Sequence, residues 1–156
     1  MAQDDPARDD AGVRLSAEAW ESLFRAQVAV MRRLQQLEEF KELSMREYDV
    51  LFNLARCPEG GLRQGDLTPL LLMSQPSLSR MIDRLETRGF LRRAPDPADQ
   101  RAVRLTLTEE GAAVQRRIGR AHVRHIRDLV SPALEPAELR ELERLTAKLR
   151  GAVEGG

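Results

Sequence analysis

Apolar residues recur at helical spacing in Trp20, Phe24, Val28, Met31, Leu34 and Leu37, which predicts a long amphipathic helix ending near Phe40. Ser16 stands before it as a cap, with Leu15 placed to staple against Trp20. Residues 1–14 carry charges and turn formers without periodicity and are expected to be a disordered tail. The run "LSMREY" holds a capping box, Ser44 with Glu47, and a staple of Leu43 on Tyr48, opening a second helix to about Arg56. Leu62 is expected in a short edge strand. A helix whose Leu78, Met81, Ile82 and Leu85 share one face follows, ended by Gly89 as a left-handed cap.

Beyond Gly89 the period changes from helix to strand. "FLRR" and "AVRLTL" flank "APDPADQR", and Val103, Leu105 and Leu107 alternate with Arg104 and Thr106, predicting two strands and a long polar hairpin loop. Thr108 caps a helix with the stripe Val114, Ile118, His122, His125 and Leu129. After "SPALEP", Pro136 opens a last helix bearing Leu139, Leu142, Leu145 and Leu149.

The expected fold class is mainly α with a small β-hairpin (α+β). The segment from 43 to 107 has the order of a winged helix-turn-helix: a short helix, a tight turn at Met73-Ser74, a helix with a polar outer face, and a hairpin wing. The stretch "LTPLLLMSQPSLSRM" holds two prolines. Pro76 suits the first turn of a helix capped by Ser74, where a missing N–H costs little. Pro69 falls inside the preceding helix, which is expected to be distorted or to start late, with Asp66 or Thr68 as its cap.

Charge locates the chemistry. The chain is neutral overall, with 25 basic and 25 acidic residues, yet residues 62–104 hold eight arginines against five acids. That local excess permits phosphate binding. On the third predicted helix, Pro76, Ser79, Arg80, Asp83, Arg84 and Thr87 lie on or near the face opposite Leu78. Small residues at its start permit close approach to base edges, Gln75 matches an adenine edge, and Arg80 and Arg84 reach guanine or phosphate. Asp83 would repel phosphate and is expected to pair with an arginine. In the hairpin, Asp99 can hold the guanidinium of Arg101 and aim it outward toward a narrow minor groove. A polar surface helix and a solvated ion pair are the plain alternatives; both features in this order favour DNA.

"LSMREYDVLFNLA", "SQPSLSRMIDRLETRGFLRR" and "DPADQRAVRLTLTEEG" resemble the MarR family of bacterial transcription regulators, whose wing signature is Asp-x-Arg-Gly/Ala before a strand ending Leu-Thr-x-x-Gly. The resemblance spans about residues 15–150. It implies a homodimer in which helices from 15–42 and 108–156 of both chains interlock, leaving 43–107 as the DNA-binding domain. It also implies repression at a palindromic operator on double-stranded DNA, and release by a small, often aromatic and anionic, ligand. Gln75, Pro76, Ser77, Ser79 and Arg80 match the family's major-groove positions, Arg101 the minor-groove one, and Asp99 the orienting acid. The chain departs from the pattern at Pro76-Ser77, where many members have Ser-Gly, and at Pro69.

Trp20, Phe24, Met31, Tyr48 and His122 are candidates to line a ligand pocket, with core packing as their alternative. His122 and His125, three apart, could hold a metal but have no clear further ligands, so neither metal nor cofactor is expected. No nucleophile with an ordered base, HExxH or glycine-rich phosphate loop suggests an enzyme. A helical protein-interaction module without DNA binding is the rival reading. The lone Cys57 excludes an internal disulfide and reads as a small buried side chain or a redox sensor. An acidic start without an apolar segment, and no run of ~20 apolar residues, point to a cytoplasmic protein without a membrane span.

Overall fold

The computed structural model describes residues 6–57, 61–71, 73–96 and 99–155. Helix α1, Pro6–Leu34, forms a unit of its own. It overturns the expected tail for residues 6–14; residues 1–5 lie outside the described residues. Proline is preorganised for a first helical turn, Ala11 favours helix, and Arg14 bonds Glu18 one turn on at 2.8 Å. Ser16 is therefore interior rather than a cap, and its hydroxyl donates back to the Gly12 carbonyl at 2.9 Å. Leu15 and Trp20 are exposed instead of forming a helix-opening staple. The helix also stops at Leu34, six residues earlier than the periodicity predicts. There Gln36 and Leu37 donate to carbonyls three residues back, a tightening for which the sequence carries no glycine or proline marker.

The second unit opens with α2, Glu39–Glu42, and α3, Met45–Ala55. The capping box is complete: Glu47 N–H donates to Ser44 Oγ at 3.3 Å, and Ser44 N–H to Glu47 Oε2 at 2.9 Å. Strand β1, Leu62–Arg63, leads into α4, Gln64–Leu67, then a single 3-10 turn over Thr68–Leu70. Pro69 occupies the second position of that turn, so the helix is distorted as expected. It does not start late: Arg63 holds the cap position, and Asp66 accepts from the Arg63 N–H at 3.0 Å.

Recognition-type helix α5 spans Gln75–Thr87 and ends in a Schellman motif. Phe90 N–H reaches Leu85 O at 2.9 Å and Gly89 N–H reaches Glu86 O at 2.8 Å, with Gly89 at φ 77°. Strands β2, Leu91–Asp96, and β3, Asp99–Leu107, join β1 in an antiparallel sheet of order β1-β3-β2. The expected long loop is thus mostly ladder, since pairing continues to Asp96 opposite Asp99; residues 97–98 at its tip lie outside the described residues. Pro95 ends the regular register, and a bulge lets the ladder resume beyond it.

Helix α6, Glu109–Val130, packs against α3. Its cap, Thr108, accepts from Gly111 N–H at 3.0 Å while donating to Gly89 O at 2.6 Å, so the end of the wing, the end of α5 and the start of α6 meet at one hydroxyl. Helix α7, Pro136–Glu154, follows, and none of its residues is buried. Leu51, Leu54, Leu67, Leu78, Ile82, Leu85, Leu91, Leu105 and Ile118 form a common core that ties α3, α4, α5, the sheet and α6 together. Each such aliphatic side chain contributes roughly 2–3 kcal/mol on burial.

Candidate nucleic-acid interface

Ser74 holds the cap position with an extended backbone, but Pro76 offers no N–H, and the Ser74 hydroxyl donates to Ser77 Oγ at 3.0 Å instead. Gln75, Pro76 and Arg80 are exposed and Ser77 and Ser79 half-buried, while Leu78, Met81, Ile82 and Leu85 face the core. Arg80 makes one long bond, from Nη2 to Ser77 Oγ at 3.4 Å, and among the described residues no carboxylate lies within 4 Å of it. Arg84 is less free, with Glu47 at 3.9 Å.

Asp83 is paired with an arginine, as anticipated: Arg93 Nη2 donates to it at 2.6 Å. Arg93 also binds Glu86 through its other nitrogen and through its own backbone N–H, the latter at 3.1 Å. Burial works against the Arg93 charge, but the bonds to Asp83 and Glu86 outweigh it and raise its pKa. The base of the wing is thereby pinned to the outer face of α5, and the acids nearest the arginines of that face are neutralised.

On the wing, Arg101 is exposed on β3 and, among the described residues, has no carboxylate within 4 Å of its guanidinium. Asp99 accepts from the backbone N–H of Arg101 at 3.1 Å. It therefore holds the backbone beside Arg101 rather than gripping the guanidinium, in the part of β3 where the register with β2 breaks. The sequence reading missed Asp96, which is 1% exposed and bound by Arg63 Nε at 2.7 Å and by Arg104 Nε at 3.0 Å. The available signal was an acid between two prolines in an arginine-rich hairpin.

The ligand candidates divide between the two units. Trp20 and Phe24 are exposed and Met31 half-buried on α1. Tyr48 and His122 come together in the second unit, ring centroids 5.6 Å apart, with Phe40 edge-on to both. Burial raises the Tyr48 pKa, partly offset by a bond from Gln115. Beside Tyr48, Phe52, Gln115, Arg116, Gly119 and Arg120 line an open depression of ≈ 560 Å³. Burial, then the nearby His125 charge, lowers the His122 pKa below its ordinary 6.5, while His125 Nε2 faces Glu39 at 3.5 Å. A depressed folded-state pKa means the unfolded chain takes the proton first, so this stabilisation is complete above the ordinary value and lost as pH falls through it. Melting temperature is expected to drop from pH 7.5 to 5.5 by less in His122→Phe than in the parent; equal drops would exclude His122 as a source.

A family model described as the MarR family matches residues 43–103. The transcriptional regulator PecS of Dickeya dadantii is 34% identical over 116 residues, 73% of this chain and 69% of PecS. Among solved structures, Sco3205 of Streptomyces coelicolor, a MarR family regulator in complex with DNA, is similar at TM-score 0.74 and 27% identity over 87% of this chain and 86% of that one. BpsR of Bordetella bronchiseptica, whose DNA binding is regulated by 6-hydroxynicotinic acid, is similar at TM-score 0.72 and 27% identity, over 83% and 91%. By its winged helix-turn-helix and a relative of this identity and coverage, the chain belongs to the MarR family of transcriptional regulators, DNA-binding proteins rather than enzymes.

Proposed function

We propose that the protein is a homodimeric repressor that covers a palindromic operator and leaves it when a small aromatic or phenolic ligand binds. One observation supports the DNA contacts above others: Arg80 on α5 and Arg101 on the wing are exposed without a carboxylate within 4 Å among the described residues, while Asp83 and Glu86 are occupied by Arg93. Two unpaired guanidiniums on the two elements of a winged helix suit a major-groove edge and a minor groove. Gln75, Pro76, Ser77 and Ser79 lie where α5 would meet bases, Arg84 serves a phosphate, and Asp99 holds the strand that carries Arg101.

Dimerisation is supported by apolar side chains left uncovered on the terminal helices. Trp20 and Phe24 of α1 and Leu142, Leu145 and Leu149 of α7 are between 42% and 62% exposed in the single chain. A two-fold axis would place two α5 helices about one DNA turn apart. Regulated release draws support from BpsR, and aromatic acids such as 6-hydroxynicotinic acid are the first compounds to test. Among the described residues no helix is long and apolar enough to cross a membrane; the proposed operator binding would be done in the cytoplasm.

Selection of bound duplexes from a random pool should return an inverted repeat, with half-site centres about 10 base pairs apart. Arg80→Ala should relax the preference at one position of each half-site and cost about 1–3 kcal/mol on the preferred site. An unchanged preference would remove Arg80 from base reading, and no DNA binding at low salt would overturn the function itself.

A further inference from the structure

We infer that Asp96 is a positioning residue for the wing: through Arg63 and Arg104 it sets the angle at which Arg101 meets DNA. The inference rests on the DNA-binding role proposed for Arg101. Register places Arg63 directly opposite Arg104 across β1 and β3. Like charges so placed repel. Asp96 resolves the conflict from the third strand: Ala94 lies opposite Arg104, and Asp96, two residues further along β2, shares its face. Its Oδ2 accepts from Arg63 Nε at 2.7 Å and stands 2.7 Å from Arg63 Nη2 and 3.0 Å from Arg104 Nε.

These contacts run from the helix-turn-helix to the hairpin tip. Arg63 opens α4, where Asp66 fixes its N–H at 3.0 Å. Asp96 pairs in register with Asp99, which accepts from the N–H of Arg101. The wing thus has two ties of different kinds: Arg93 anchors its base to α5, and Asp96 ties its far end to Arg63, the last residue of β1 and the cap of α4. With the second tie gone the hairpin keeps its base and can swing beyond it. A buried carboxylate requires such cations in any fold; its place at the far end of a hairpin, next to the residues that carry Arg101, is what gives it a role in positioning.

The test is a double-mutant cycle on a duplex that the wild-type protein selects from a random pool. Asp96→Asn should weaken binding about tenfold. In that background Arg101→Ala should change affinity by less than about twofold, whereas Arg80→Ala should cost the same factor as in the wild type. A generally loosened domain would lower both contributions together. If Asp96→Asn fails to fold by circular dichroism, Arg63→Gln, whose side chain is 43% exposed, carries the same cycle. Wild-type affinity in the folded Asp96→Asn variant, or a full Arg101 effect within it, overturns the inference alone. A wild-type protein indifferent to Arg101→Ala overturns the wing's proposed role and the inference with it.

Discussion

Arg101→Ala is expected to weaken operator binding by about tenfold to a hundredfold while leaving melting temperature and association state unchanged. The side chain is exposed and, among the described residues, makes no ion pair, so its removal disturbs no packing. Its proposed work is done only in the complex, where a guanidinium enters a narrow groove of high negative potential. Arg144→Ala on α7 removes the same charge from a pair with Glu141 and serves as the control for net charge. Fluorescence anisotropy over a range of salt concentrations separates the two, because a lost phosphate-region cation also lowers the salt slope by about one. Equal losses in both variants would reduce Arg101 to a contributor of long-range charge.

Gly111→Ala is expected to destabilise the folded protein by about 3 kcal/mol or more, read as a loss of stability in urea at unchanged slope. A methyl group there would stand 1.8 Å from the Phe90 carbonyl oxygen, which is backbone and cannot rotate away. The contact is tight because Thr108 joins three elements within four residues: it caps α6 through Gly111, donates to Gly89 and receives support from its own N–H on Phe90 O at 3.1 Å. The Leu-Thr-x-x-Gly end of the wing therefore has a mechanical reason, a helix started against the end of another with no room for a side chain. Helix propensity alone favours alanine, so a neutral or stabilised variant would show that α6 can lift away from Phe90 at little cost.

Local signals were legible wherever a residue and its partner lie within one turn or one strand pair. The Ser44–Glu47 box, the Thr108 cap, the Gly89 terminus, the Pro76 first turn and the Leu78–Leu85 core face all follow from such short-range chemistry. The missed features each needed a partner remote in sequence or a boundary without a marker. α1 is described from Pro6 and stops at Leu34, where no glycine or proline marks the end. Pro69 signals a distorted helix from sequence alone, but the form of the distortion, an α turn continued as a 3-10 turn, depends on Arg63 opening the helix from within a strand.

The same division holds for the site. Residue order and spacing by themselves determined the winged helix-turn-helix, the outward face of α5 and the candidates Arg80 and Arg101, because periodicity assigns faces without reference to the rest of the chain. Which charges are spoken for was decided only in three dimensions. Arg93 takes Asp83 and Glu86, and Asp96, 33 residues from Arg63, is buried between two arginines. Packing of β2 on α5 brings the first set together and sheet register the second, each within about 3 Å, and over such distances in a partly desolvated site charges bind strongly enough to choose which arginines remain for another partner.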